Sequence, residues 1–327
     1  MSSFSVVIPS NHSSDELLNL VQYIVNQSLQ PNQIIIVDSN VSQCPLPFSI
    51  SNLCHDSSIE LVYVHENGAF PGRARNVGSQ FVTSEYICFL DVKTLPSKDW
   101  LKNAFKQISD NDIDGVWGNT FFDANCYFSS CLRDGIYGRK ARQTLPGSVL
   151  TVSSFRRVGQ FVPWARAGED TDWISRSKLL SLRVSNSNFV STTYIGLLNK
   201  SYLFMIRKWL KYNIDGGLLP HLLFQRVLIF FLIYTLIIYI GYNWNNLYAS
   251  WDPSAVFYIP NITKALLFLP VLFYFLLRSI FLPVIRGVPL QMILNLRFIS
   301  IFFIVLPLDL LKMAGFLSAL KSYLLKK

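Results

Sequence analysis

Acidic side chains close two apolar runs in this 327-residue chain: residues 33–38 read QIIIVD and residues 86–91 read YICFLD. A third run, residues 4–9, leads into Pro9–Ser10. In an open α/β sheet the ligand sits beyond the carboxyl ends of the strands. Pro9, Ser10, Asp38 and Asp91 would then share one edge, where converging acids hold a base or ribose edge, or a metal ion on phosphate. Residues 69–78, AFPGRARNVG, place Arg73 and Arg75 at a glycine-containing helix start. Backbone N–H groups and guanidinium forks both suit a pyrophosphate there, and a solvated helix face accounts for the pair equally well. The stretch is neither a G-x-G-x-x-G fingerprint nor a Walker A loop. Residues 168–176, GEDTDWISR, set Glu169, Asp170 and Asp172 ahead of an apolar helix. Such charge complements a helix dipole. It also offers a general base, because a carboxylate within hydrogen-bond reach can deprotonate an acceptor hydroxyl.

These groups need a scaffold. Residues 4–9, 33–38, 60–65 and 86–91 have the continuous apolar character of buried strands. Residues 13–30 carry Leu17, Leu20, Val21 and Ile24 at helical spacing, with Asp15 and Glu16 in the first turn. Strand, helix, strand in that order is a right-handed βαβ unit. Further helices are expected over 71–82 and 168–181. Apolar strands alternating with helices predict a parallel sheet covered on both faces. Residues 110–165 are less regular; Trp117, Arg139, Arg142, Trp164 and Arg166 are acceptor-site candidates there by residue type alone.

Taken together, FSVVIPS, IIIVDSN, GRARNVG, FLDVK and GEDTDWISR resemble, in order and spacing, the motifs of family-two glycosyltransferases of the GT-A fold, across residues 4–180. That resemblance implies an α/β, Rossmann-like nucleotide-diphospho-sugar transferase domain with a mostly parallel sheet. It implies inverting transfer of a sugar from a nucleotide-sugar donor. By position, Pro9, Ser10 and Asp38 would meet the nucleotide, with Arg73 and Arg75 near its diphosphate. Asp91 would open the D-x-D motif and hold Mg²⁺ or Mn²⁺. Asp170 would be the catalytic base, supported by Glu169, and Trp173 and Arg176 would face the acceptor. The chain departs from the pattern at Asp91-Val92-Lys93, where Lys93 stands in place of the second acid. Either Asp91 alone holds the ion with donor phosphates, or the Lys93 ammonium neutralises the leaving diphosphate. A non-catalytic protein that binds nucleotide-sugar at a degenerate site is the third reading.

Charge is unevenly spread. The net charge is +9, yet residues 1–200 hold 17 basic and 17 acidic side chains, and residues 201–327 hold 12 and 3. A nucleic-acid binder would carry a basic stripe on its folded domain, which residues 1–200 do not supply. Five scattered cysteines, without a C-x-x-C pair, make neither a disulfide framework nor a zinc site. The mean hydropathy of +0.32 is high, and residues 222–242 and 265–285 are long apolar runs fit to cross a bilayer core of about 30 Å. Residues 298–311 form a shorter apolar stretch, interfacial or spanning. Residues 201–221 read as a basic amphipathic linker, suited to a membrane surface or to ordinary packing. The N-terminus, MSSFSVVIPS, has no secretory character. The expectation is therefore a transferase domain over 1–200, an interfacial linker over 201–221 and a membrane region over 222–327, in the cytoplasmic membrane with the catalytic domain in the cytosol. Its acceptor would be a membrane lipid-linked sugar in surface polysaccharide, lipopolysaccharide or glycolipid synthesis of the cell envelope, or polyprenyl phosphate itself.

Overall fold

Val6, Val7 and Ile8 have no solvent exposure, because strand β1 (Phe4–Ser10) runs through the middle of a sheet with helices on both faces. The computed structural model describes residues 2–11, 14–197, 201–216, 219, 227–248, 252–258 and 268–324. β1 pairs in parallel with β2 (Gln33–Asp38) on one side and β4 (Tyr86–Phe89) on the other, and β3 (Glu60–His65) continues in parallel beyond β2. Alternate residues feed two cores, as the period of two along a strand requires. Ile8, Ile34 and Ile36 pack under α1 (Ser14–Val25), α2 (Phe48–Asp56) and α4 (Trp100–Asn111). Val7, Ile35 and Phe89 face the opposite layer, with α3 (Pro71–Ser79), α6 (Val152–Val158) and α7 (Glu169–Leu179).

The sheet is mixed, not mostly parallel. With β5 (Thr94–Pro96), β6 (Gly115–Phe122), β7 (Arg142–Thr151) and β8 (Val184–Tyr194), its order is β3-β2-β1-β4-β7-β6-β8-β5. β7 runs antiparallel to both β4 and β6, and β5 antiparallel to β8, whereas β6 and β8 are parallel. The reason lies in the connection from β6 to β7. It is made by α5 (Tyr127–Leu132) and a π turn, Arg133–Tyr137, whose buried residues join a third core away from the sheet face. A parallel return would need a crossover element on that face.

The third core ties the C-terminal half to this domain. Cys131, Leu132 and Ile136 pack with Met205 of α8 (Tyr202–Gly216) and with Ile301, Val305 and Leu308. The last three belong to α13 (Arg297–Leu324), which follows α9 (Val227–Tyr248), α10 (Phe268–Leu276), α11 (Leu282–Ile285) and α12 (Leu290–Leu294). Among the described residues no helix is long and apolar enough to cross a membrane. Residues 222–226 of the first expected span lie outside the described residues, and α9 ends in the polar sequence GYNWNNLY. For the second expected span, 265–267 are likewise outside them; the remainder is interrupted by a π turn at Leu277–Phe281. Its Arg278 is buried on Asp309 at 2.5 Å. The shorter stretch, 298–311, is the first half of α13 and buries one side against α5 and α8.

Candidate active site

Parallel register brings the strand ends together: Ser10 lies beside Asp38, and Asp38 beside His65. A cavity of about 820 Å³ opens there. Pro9, Ser10 and Ser39 line it together with Asp91, Lys93, Arg166, Glu169 and Asp170. Asp38 itself does not line the cavity. Its buried carboxylate accepts bonds from the Asn40 N–H and side-chain amide, from the Cys44 N–H and from the Tyr63 hydroxyl. Those four donors shape the loop that presents Ser39.

The centre of the site is Arg75. Its Nη2 donates to Asp91 Oδ1 at 2.7 Å and its Nη1 to Glu169 Oε1 at 2.7 Å, with the guanidinium almost wholly buried. Helix α3 is fixed for this purpose. Asn76, one residue on, exchanges two 2.8 Å hydrogen bonds with the backbone of Phe161, whose ring lies 5.6 Å from the Arg75 guanidinium carbon. Gly72 lets the same helix come close: a Cβ there would strike the Val162 carbonyl oxygen and press on Glu169 Cγ at 3.1 Å. Burial opposes the charge on Arg75, but Asp91, Glu169 and Asp170 around it hold the guanidinium above its usual range. Burial, with Asp170 alongside, pushes the Glu169 carboxyl up to about 7 against the pull of Arg75.

Helix α7 starts after Gly168, which takes the left-handed conformation at φ 86°. Glu169 turns inward to Arg75, while Asp170 lines the cavity, half-buried, and accepts the Thr171 N–H at 2.7 Å. The two acids have different surroundings and so different work: Glu169 positions Arg75, and Asp170 is available to a ligand.

Other expected site residues fall elsewhere. Arg73 pairs with Glu66 and does not line the cavity. Trp173 and Arg176 do not line the cavity. Trp173 is fully buried, stacks on Phe155 and donates to the Gly159 carbonyl at 2.8 Å. As the residue four beyond Glu169, it lies on the same inward row of the helix. Arg176 ties α7 to the preceding loop through Asp172 and the carbonyls of Val158 and Gln160. Of the candidates named by residue type, Arg166 lines the cavity and Trp117, Arg139, Arg142 and Trp164 do not.

The wall missing from the sequence reading is α8. Arg207, Lys208, Lys211 and Tyr212 line the cavity, while Met205, Ile206 and Trp209 of the same helix pack into the third core. The signal was present as cations at positions 207, 208 and 211, on one side of a helix with apolar residues on the other. A membrane linker has the same pattern.

A divalent ion fits this donor set poorly. Asp91 already holds the Arg75 guanidinium, and Lys93, at the place of the second acid, is bound to Glu16 at 3.1 Å. Among the described residues no three His, Cys, Asp or Glu side chains gather as a metal site.

The domain is thus a mixed α/β sheet with an acid pair and a buried arginine gathered beyond its strand ends. Residues 5–160 match the profile of the family described as Glycosyl transferase family 2. Among curated proteins, the chain is 26% identical over 128 residues to "Glycosyltransferase GlyG" of Streptococcus pneumoniae, covering 38% of this chain and 42% of that one. It is 26% identical over 133 residues to "Succinoglycan biosynthesis protein ExoW" of Rhizobium meliloti, 40% of this chain and 38% of that one. It is 28% identical over 106 residues to "Amylovoran biosynthesis glycosyltransferase AmsB" of Erwinia amylovora, 32% and 34%. The chain thus matches less than half the length of each of these relatives.

Proposed function

We propose that this protein is an inverting glycosyltransferase that moves one sugar from a nucleotide-sugar donor to a lipid-linked acceptor at the cytoplasmic membrane, in the building of a surface polysaccharide. The observation that carries the reading is Asp170, half-buried at the mouth of a helix in a cavity at the strand ends, beside a Glu169 already committed to Arg75. Asp170 takes the proton of the acceptor hydroxyl, and the hydroxyl oxygen attacks the anomeric carbon of the donor sugar. The bond from that carbon to the donor's diphosphate breaks, and its electron pair leaves on the diphosphate oxygen. Pro9, Ser10 and Ser39 lie where the nucleoside end would sit.

Two relatives bear names of polysaccharide biosynthesis, succinoglycan and amylovoran, which supports the product class. The membrane setting is supported by apolar side chains left exposed on α8 and the C-terminal helices, including Leu203, Ile237, Phe273, Phe281, Ile285 and Phe303. Apolar surface beside basic residues suits a helix lying in a bilayer interface. The test is transfer of labelled sugar from a panel of nucleotide-sugars into a membrane extract by the full chain. Label entering the lipid fraction is expected. Nucleotide-sugar binding without any transfer would point to the non-catalytic reading instead.

A further inference from the structure

We propose that Arg207 and Lys211 of α8, with Arg166, carry the charge of the donor's diphosphate in place of a divalent ion at Asp91. The inference rests on the transferase reading and says how that reaction manages its leaving group.

The charges already inside the cavity are spoken for. Arg75 stands between Asp91 and Glu169, and Lys93 is paired with Glu16. None of these cations is left to meet the two or more negative charges of a diphosphate. Arg166, Arg207 and Lys211 line the same cavity, and among the described residues none of the three makes an ion pair. The placement of α8 is fixed, because its Met205, Ile206 and Trp209 pack into the third core with α5 and α13. Its cationic side therefore faces the cavity as a consequence of packing. Tyr212, one residue after Lys211, lines the same cavity as Arg166, Asp91 and Glu169, so the helix borders the reacting centre. Residues 207, 208 and 211 share one side of it. As the bond from the anomeric carbon to the diphosphate breaks, the electron pair arrives on an oxygen opposite these cations. Fixed cations aimed at developing charge lower the barrier without reorganisation. A metal at Asp91 would instead meet a carboxylate that already binds a guanidinium, next to an ammonium.

Inorganic pyrophosphate is the probe. Calorimetry on the full chain in excess EDTA should show pyrophosphate binding. Arg207→Gln combined with Lys211→Gln should weaken it roughly tenfold or more, as expected for the loss of two charge-assisted contacts. The charge-keeping pair, Arg207→Lys with Lys211→Arg, should stay near wild type, which separates charge from any packing effect. Titration with Mn²⁺ alone should give no stoichiometric binding. Pyrophosphate binding that appears only with Mn²⁺ or Mg²⁺, or that is equal in the Gln pair, would overturn the proposal. So would a Gln pair that raises only the acceptor KM, because the cations would then belong to the acceptor. Metal-free pyrophosphate binding that depends on these cations, in a protein that transfers no sugar, would leave this site standing and remove the transferase reading. Sugar transfer that requires a divalent ion would do the reverse.

Discussion

Arg75 and Asp91 lie 2.7 Å apart across the sheet edge, and the same guanidinium reaches Glu169, 94 positions along the chain, at the same distance. The sequence motifs suggested separate tasks for these three groups: phosphate, metal and base support. Their contact makes them one unit. The arginine is bound internally, whereas Asp170, Arg207 and Lys211 line the cavity without an ion pair among the described residues.

Removal of Arg75 should therefore be felt first as instability. Arg75→Met leaves two carboxylates facing each other at the cavity floor. Breaking a buried ion pair from one side costs about 3–5 kcal/mol, so urea denaturation should show a loss of that order. A change below about 1 kcal/mol would mean that the guanidinium does not hold the three elements together.

The raised Glu169 carboxyl has a consequence for stability against pH. The folded state holds that proton up to about 7, whereas the ordinary carboxyl loses it near 4.5. Between those values the folded protein binds more protons than the unfolded one, so this group's contribution to stability falls as pH rises through the window. Glu169→Gln should flatten that part of the profile. Denaturation midpoints at pH 5 and pH 8, compared between wild type and variant, check it; parallel profiles would refute the raised carboxyl.

Trp173 is a core residue in this structure, with Phe155, Phe161 and Trp117 as ring neighbours. Trp173→Ala should cost about 3–5 kcal/mol, and Trp173→Phe should leave the acceptor KM within twofold. A large KM increase in a well-folded Trp173→Phe protein would return this side chain to the acceptor site.

Gly72 sets how closely α3 approaches the loop leading into α7. Gly72→Ala puts a methyl against the Val162 carbonyl and the Glu169 side chain, and should lower both stability and turnover. Overpacking of this kind typically costs about 1–3 kcal/mol. Thermal unfolding and initial rates measured together would test it, and an unchanged pair of values would show that the gap is wider than described.

The first half of the sheet was legible in the sequence because β1, β2 and β4 are buried on both faces and read as unbroken apolar runs. The second half was not. β8 is mostly polar and buries only scattered residues over VSNSNFVSTTY, and β7 contains Pro146 and Gly147, so neither stands out from a loop. Asp91, Glu169 and Asp170 could be picked out by motif, but the Arg75 bridge spans the chain and leaves no local pattern. Trp173 was misplaced because nearness in sequence to the acid pair outweighed helical period, which puts it on the inward row. The cavity-lining side of α8 was not legible either, because a basic amphipathic helix looks the same whether its cations meet lipid or a cavity.

The central claim is that Asp170 takes the proton of the acceptor hydroxyl. Its most direct test is the rate of labelled sugar transfer by Asp170→Asn, with donor binding followed in parallel on the same protein. A fall of about a hundredfold or more, at unchanged donor affinity, is the result this account predicts. Wild-type turnover in Asp170→Asn would contradict it.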